Sequence, residues 1–225
     1  MTVETLDIRN PEAVIRAWVS HTDELPPEVT QHRTARSEHV VRLIAQGQPV
    51  SAAQLAEASG RPLEEIEQVF VKYRSIGGEF DSDGNLVGAV LTQTPTPHRF
   101  RVNGRQLYTW CALDALFIPG LLGETAQVES SCPTTGAAIR LTVAPDGVRA
   151  YSPRETVLSI SVPGLSCRSE AGDQSTGPTS DTCSQMHFFS SRAAAEQWVQ
   201  AHPGVAILTV DEAFELAHRN WLARR

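Results

Sequence analysis

The sequence YTWCALDALF at residues 108–117 is an apolar run of helical length that contains one thiol and one carboxylate. Apolar side chains recur in it at the spacing of one helix face, at Trp110, Leu113 and Phe117. Pro119 and Gly120 follow shortly afterwards and predict the end of the helix. We expect the rest of the chain to be arranged around this helix.

Cys111 and Asp114 are three residues apart, so on a helix they are neighbours on a second face. A carboxylate among apolar residues must find partners, or its pKa rises and it keeps its proton. A thiol beside such an acid is suited to proton-transfer chemistry. A cysteine in an apolar helix is also commonly a small buried hydrophobe, so the residues alone leave both interpretations open.

Length and charge limit the class of protein. The 225 residues suffice for one large domain or two small ones, and the net charge is −7. An acidic chain gives no electrostatic reason to bind nucleic acid or an anionic membrane. No apolar run approaches the roughly 20 residues that span a bilayer, and the N-terminus does not resemble a signal peptide. The sequence therefore predicts a soluble, cytoplasmic protein.

The four cysteines are Cys111, Cys132, Cys167 and Cys183. A cytoplasmic chain of this size with four cysteines does not suggest a disulfide framework. No C-x-x-C pair occurs, which disfavours a closed structural zinc site. The thiols are therefore expected to be free, and either reactive or buried and inert.

The N-terminal part, residues 1–91, is expected to form a helical module. Amphipathic segments predict helices at residues 11–19, 34–46, 52–59 and 62–73, and the sequence at 79–91 predicts a hairpin that turns at Asp83 and Gly84. Helices followed by a two-stranded wing are the outline of a winged helix-turn-helix. Residues 92–97 (TQTPTP) are a proline-broken linker and the predicted domain boundary.

This outline does not predict DNA binding. Residues 31–91 carry six basic and eight acidic side chains, a net charge of −2. The segment in the position of a recognition helix opens LEEIE at residues 63–67, which would meet phosphates with like charge. We expect the module to serve as a packing or lid element.

Residues 98–225 are expected to form an α+β core with a mostly antiparallel sheet. Alternating patterns predict strands at residues 98–102, 106–108, 126–130, 138–143, 148–151, 157–162, 183–189 and 206–210. Residues 163–182 are rich in Gly, Ser, Thr and Asp and predict a long loop. Helices are expected from Ser190 or Ser191 to Ala201, and from Asp211, as the N-cap, to about residue 222.

Several phrases, taken in order, resemble the bacterial organomercurial (alkylmercury) lyases. They are LYTWCALD at 107–114, SCPTTG at 131–136, and Cys183 four residues before the HFF at 187–189. The likeness extends upstream to DSDGNL at 81–86 and downstream to DEAF at 211–214. It covers roughly residues 34–221.

The resemblance implies a winged-helix-like N-terminal module packed on a core of antiparallel strands and helices. It also implies that Cys111 and Cys183 are the two catalytic cysteines and that Asp114 is the catalytic aspartate. Cys132 matches a cysteine regarded as structural in that family, and Cys167 matches nothing in it. The chain departs from the family at 184–185, where Ser and Gln stand in place of the further Cys or His of some members.

The implied reaction is protonolysis of a carbon–mercury bond without an organic cofactor. Mercury is a soft metal, and thiolate is the softest ligand that a protein offers. Cys111 and Cys183 would bind the metal, and Asp114 would pass a thiol proton to the departing carbon. Hg(II) would remain on Cys111 and Cys183 beside Asp114, until small thiols or a mercuric reductase accept it.

Two rival functions remain open on the sequence. One is a non-enzymatic, thiol-based binder or regulator for mercury or another soft metal. The other is an enzyme of the same fold with another substrate. His187, in an apolar strand pattern, is expected to be a hydrogen-bonded core histidine. Trp110 and Phe189 either line an apolar pocket for the organic group or belong to the core.

Overall fold

A computed structural model describes residues 6–24, 38–75, 77–163, 165 and 181–222. The N-terminal part contains α1 (Pro11–Asp23), a helical stretch at residues 38–44 (α2), α3 (Ala52–Ser59) and α4 (Leu63–Ser75). Ser51 caps α3 through a capping box with Gln54, and Gly60 ends it in a left-handed conformation with φ 65°. The predicted helices are thus present, and the part of the second one before residue 38 lies outside the described residues.

Eight antiparallel strands form the larger sheet, in the order β1-β2-β3-β5-β4-β6-β7-β8. Its strands are β1 (Glu79–Phe80), β2 (Leu86–Ala89), β3 (Leu91–Thr92), β4 (His98–Val102), β5 (Arg105–Thr109), β6 (Ala126–Ser131), β7 (Ala138–Ala144) and β8 (Gly147–Ser152). Strands β1 and β2 are the predicted wing. The wing continues into the core sheet because β3 pairs with both β2 and β5.

A second sheet has three strands, β9 (Val157–Ser161), β10 (Phe188–Phe189) and β11 (Val205–Thr209), with β9 in the middle. Helices α5 (Asp114–Leu122), α6 (Asp181–Ser184), α7 (Arg192–Val199) and α8 (Val210–Ala217) complete the core, followed by a π-helical turn at His218–Leu222. The expected α+β class, with helices around a mostly antiparallel sheet, is confirmed.

The N-terminal helix packs on the C-terminal half of the chain. The indole N–H of Trp18 donates to the carbonyl of Ser161 at 3.0 Å. The Trp18 ring lies 6.0 Å from that of Trp221, which in turn stacks on Phe117 of α5 at 4.8 Å. These contacts connect α1 to the helix at the centre of the fold.

The predicted helix over residues 108–117 is wrong at its start. Tyr108 and Thr109 belong to β5, where they pair with β3 on one side and β4 on the other. Because a short apolar run fits a buried strand as well as a helix, periodicity did not separate the two here. The helix begins at Asp114, so Cys111 and Asp114 do not share a helix face.

The predicted end of this helix is also wrong. Pro119 lies inside α5, which continues to Leu122 and ends at Gly123 in the left-handed conformation, with φ 75°. Every residue of α5 except Gly120 is buried. The apolar area that Leu121 and Leu122 bury compensates for the hydrogen bond that proline cannot donate.

Two details of the C-terminal prediction need correction. Cys183 was expected in a strand over 183–189, but it lies in the short helix α6, and only Phe188 and Phe189 form strand. The N-cap of α8 is Thr209, through a capping box with Glu212, rather than Asp211. The predicted loop at 163–182 lies mostly outside the described residues, as does Cys167. Within the described ranges, no helix is long and apolar enough to cross a membrane.

Candidate functional site

The turn between β5 and α5 presents Cys111. The hydroxyl of Thr109 donates to the Cys111 carbonyl at 2.9 Å, and the Thr109 carbonyl accepts from the hydroxyl of Thr96 at 2.7 Å. These two hydrogen bonds hold Thr109, the last residue of β5, in place. Cys111 comes two residues later in the chain, and only 2 % of its surface is exposed.

Asp114 is the first residue of α5 and closes the same turn. Its Oδ2 accepts the backbone N–H of Cys111 at 3.0 Å. The predicted proximity of Cys111 and Asp114 is confirmed, since their ligand atoms lie within 4.8 Å of each other, although a turn and not a shared helix face brings them together. Asp114 is 6 % exposed and lies among the buried apolar residues of α5.

A second segment, residues 183–187, brings Cys183 to this turn. Met186 donates its backbone N–H to the Cys183 carbonyl and accepts the N–H of Ala112, both at 3.1 Å. Ser159 of β9 donates to the Gln185 carbonyl at 2.7 Å and accepts the N–H of His187 at 2.9 Å. The segment is therefore anchored both to the Cys111 turn and to the smaller sheet.

The three side chains converge on one point. One ligand atom each from Cys111, Asp114 and Cys183 lies within 4.8 Å of the other two. Among the described residues, this is the group of Cys, His and acidic side chains with the spacing to hold one metal ion. Cys111 and Asp114 are buried, and Cys183 is partly exposed, so the group opens to the surface on the Cys183 side.

Burial controls the protonation of the site. Burial raises the pKa of Asp114 well above 3.8, and the neighbouring Cys183 raises it further, against hydrogen bonds from Cys111. Burial also raises the pKa of the Cys111 thiol well above 9.0, helped by the hydrogen bond to Cys183 and the charge of Asp114. The site therefore holds its protons until a ligand replaces them.

Cys132 lies apart from this group. Its thiol forms no disulfide within the described part of the chain, and the residue is 1 % exposed. Burial alone would raise the pKa of its thiol, but hydrogen bonds from Thr135 and Ser190 lower it to about 7. The structural role that the resemblance implies for Cys132 stays a prediction.

His187 forms the hydrogen bond expected of it, but it is half-buried and does not belong to the core. Its Nε2 donates to the Ser184 carbonyl at 2.8 Å, next to Cys183, and its ring packs edge-on against Trp198. No pattern in the sequence singled out His98, which is buried and forms a hydrogen bond of 2.9 Å with the hydroxyl of Ser130. Burial, and then the nearby His187, lowers the pKa of His98 to about 3.

Two further residues at the site went unrecognised in the sequence. Glu79 of the wing accepts the indole N–H of Trp110 at 2.8 Å, beside Cys111. Met186 places its sulfur 4.0 Å from the Cys111 sulfur. Met186 could have been recognised, because its sulfur is a soft donor only three residues after Cys183. Glu79 could not, because no local pattern connects the wing to Trp110. Phe189 is fully buried in the core.

Comparisons with known proteins all point to the same protein family. A profile described as alkylmercury lyase matches residues 91–222, and a profile described as the helix-turn-helix domain of alkylmercury lyase matches residues 21–89. The chain is 42 % identical over 177 residues to the alkylmercury lyase of Staphylococcus epidermidis, covering 79 % of this chain and 77 % of that protein. It is 40 % identical over 179 residues to that of Pseudomonas putida, covering 80 % and 79 %.

The fold also matches a solved structure. The crystal structure of the mercury-bound form of MerB2 superimposes with a TM-score of 0.69 at 22 % identity, covering 92 % of this chain and 96 % of that one. At this sequence identity the match shows that the two chains share a fold. It extends over the N-terminal helices as well as the sheet core.

Proposed function

The chain belongs to the alkylmercury lyase family, and from this premise we propose that Cys111, Asp114 and Cys183 carry out its carbon–mercury bond cleavage. The observation that supports these residues is the meeting of two thiols and one buried acid within 4.8 Å. Two soft sulfurs suit mercury, and a buried acid suits proton delivery. The products are a hydrocarbon and Hg(II).

The first contact with the organomercurial is assigned to Cys183, because it is the partly exposed member of the group. Mercury in the substrate carries the organic group on one side and a second ligand on the other. The sulfur of Cys183 replaces this second ligand, which leaves with the Cys183 proton. The mercury atom then lies beside Cys111. No change of oxidation state occurs in this exchange.

The second step transfers a proton to carbon. Asp114, whose raised pKa keeps it protonated, donates its proton to the carbon atom as the mercury–carbon bond breaks and a carbon–hydrogen bond forms. Cys111 binds mercury as a thiolate, and its proton passes to the carboxylate of Asp114, which is thereby protonated again. Burial keeps water from competing for the proton.

Hg(II) remains on Cys111 and Cys183 after the hydrocarbon leaves. We assign its removal to small thiols or a mercuric reductase, which exchange their own thiolates for those of the protein. The reaction needs no organic cofactor in this scheme. Because both thiols must stay reduced, the proposed location is the cytoplasm.

The experiment that tests these roles is headspace gas chromatography of the reduced protein with phenylmercury or methylmercury and excess small thiol. Benzene or methane is expected from the wild type and not from Cys111→Ser, Asp114→Asn or Cys183→Ser. Cys132→Ser is the matched control, since it removes a thiol outside the group and keeps a hydrogen-bond acceptor there. Full turnover by any of the first three variants would exclude that residue from the reaction.

A further inference from the structure

Met186 connects the two cysteine segments of the site. Its backbone N–H donates to the carbonyl of Cys183, and its carbonyl accepts the N–H of Ala112, the residue after Cys111. The residue is 2 % exposed. These backbone hydrogen bonds fix Met186 between the two segments that carry Cys111 and Cys183, and its thioether is buried there.

The thioether faces the thiol of Cys111. The Cys111 Sγ lies 4.0 Å from the Met186 Sδ, in a contact where the thiol donates and the thioether accepts. Where metal–sulfur bonds are about 2.3 Å, as in tetrahedral zinc–thiolate sites, neighbouring sulfurs lie roughly 3.8 Å apart. The two sulfurs are therefore already at the separation of ligands that share one metal ion.

We propose that Met186 is a third sulfur ligand of the mercury bound by Cys111 and Cys183. The proposal rests on the proposed function, and it adds a ligand that Ser184 and Gln185 cannot supply. Thioethers are soft donors, like thiolates, and select soft metals. The bond is dative: a lone pair of the Met186 sulfur enters the coordination shell of mercury, and no bond of the side chain breaks.

A neutral third donor serves both halves of the reaction. It adds electron density to mercury while carbon is still bound, which weakens the mercury–carbon bond. It adds no negative charge, so it holds the Hg(II) product less strongly than a third thiolate would. Small thiols then compete for the product against two thiolates and one weaker ligand.

The composition of the chain permits a direct test, because Met1 and Met186 are its only methionines. Selenomethionine labelling places one selenium atom in the site, and Met1 serves as the internal control. After addition of one equivalent of HgCl2, absorption spectroscopy at the selenium edge is expected to detect mercury at bonding distance. In protein labelled with 13C at the methionine methyl, the Met186 resonance is expected to shift while that of Met1 stays in place.

The same measurement separates failure of this inference from failure of the proposed function. The labelled protein also carries Cys132→Ser and Cys167→Ser, so that the ultraviolet charge-transfer band of mercury thiolate reports binding by Cys111 and Cys183 alone, and adding Cys111→Ser is expected to weaken this band. If the band forms but selenium has no mercury neighbour, Met186 is not a ligand and the inference is overturned. If Cys111→Ser binds mercury as the wild type does, the proposed site itself is wrong.

Turnover gives an independent readout. Biosynthetic replacement of methionine by norleucine exchanges the sulfur for a methylene group of similar shape, and Met186→Leu is a genetic equivalent. Both proteins are expected to lose roughly tenfold in kcat with a smaller change in KM, since the ligand acts on bond cleavage. Wild-type kcat in the norleucine protein would mean that Met186 only packs, and would overturn the inference.

Discussion

The indole N–H of Trp110 donates a hydrogen bond of 2.8 Å to Oε1 of Glu79. The other oxygen of this carboxylate, Oε2, accepts the hydroxyl of Thr92 at 2.6 Å. Glu79 lies in the wing, and Trp110 directly precedes Cys111 in the chain. The carboxylate of Glu79 therefore holds Trp110, the residue before Cys111 in the turn between β5 and α5 (the reactive turn).

The backbone of Trp110 is held from the same side. Its N–H donates to the carbonyl of Val90 at 2.9 Å, and Val90 has a φ of 63°. A β-branched residue in the left-handed region is strained, and such strain persists only where the surroundings impose it. The wing thus contributes to the position of Cys111, which gives the winged module a use other than DNA binding.

We predict that Glu79→Ala lowers both stability and turnover. The substitution leaves the indole N–H of Trp110 and the hydroxyl of Thr92 without their charged acceptor. Hydrogen bonds to charged groups are worth about 1.5–3 kcal/mol each, and half-burial of Glu79 favours the lower end. Urea unfolding and kcat with phenylmercury measure the two effects, and Glu79→Gln, which keeps an acceptor oxygen, is expected to recover most of kcat.

Glu64→Ala is the matched control for Glu79→Ala. Glu64 is an exposed acid on α4 of the same N-terminal part, and its removal is expected to change stability by less than about 0.5 kcal/mol. If Glu79→Ala behaves like this control in both measurements, the bridge to Trp110 does not position the turn.

Gly88→Ala is expected to disrupt the same bridge from the other side. A Cβ at this position would lie 2.6 Å from the Thr92 hydroxyl and 2.7 Å from Oε2 of Glu79. Forced displacement in a packed site costs about 1–3 kcal/mol. The urea midpoint should fall, whereas Gly147→Ala, with 3.6 Å to its nearest neighbouring atom, should leave it nearly unchanged. Equal midpoints for the two variants would contradict this account.

The sequence predicted most elements because their signals were local. The strand at 98–102 was predicted at its observed bounds, and β6 to β9 agree within one residue at each end. The contacts that decide the remaining cases join residues far apart in the chain. The predicted strand at 106–108 ended one residue early, because Thr109 is held in β5 by β3 on one side as well as by β4 on the other.

The candidate site was predictable in composition but not in geometry. The phrases around Cys111, Asp114 and Cys183 named the residues, and the structure brings their side chains together. The roles of Glu79 and Met186 depend on contacts across 31 and 75 residues of sequence, respectively. No periodicity carries that information.

We predict that Asp114→Asn abolishes turnover without destabilising the fold at neutral pH. Asn keeps an oxygen to accept the N–H of Cys111, and it removes a group whose folded pKa lies well above the ordinary 3.8. Between those two pKa values the folded protein binds a proton that the unfolded chain has released. The contribution of Asp114 to stability therefore falls as pH rises above about 4.

Urea midpoints at pH 5 and pH 8 test the prediction for Asp114. The wild type should lose stability relative to Asp114→Asn as pH rises across this interval. Titrations elsewhere in the chain occur in both proteins and cancel in the difference. A difference that does not change with pH would mean that the folded pKa of Asp114 is not raised.

Cys132 should give the opposite pH dependence. Hydrogen bonds from Thr135 and Ser190 hold the pKa of its thiol at about 7, below the ordinary 9.0. The unfolded chain then binds more protons between these values, so the thiolate adds stability as pH rises from 7 to 9 and loses it as pH falls through 7. Cys132→Ser should lack this increase in paired urea titrations, and an identical increase in both proteins would refute the lowered pKa.

Trp18→Phe is predicted to destabilise the protein while leaving catalysis nearly intact. The change removes the indole donor to the Ser161 carbonyl and reduces the contact with the Trp221 ring. Loss of one hydrogen bond at an 8 % exposed residue costs about 1–2 kcal/mol. The stack of Trp221 on Phe117 remains, so α5 keeps its position and kcat should change less than about twofold.

Val71→Ala provides the reference for Trp18→Phe. Val71 is 61 % exposed on α4, so its truncation should change stability by less than about 0.5 kcal/mol. If Trp18→Phe costs no more than this in urea unfolding, the packing of α1 on the C-terminal half contributes little. If kcat falls together with stability, the chain of rings from Trp18 to Phe117 also sets the position of the reactive turn.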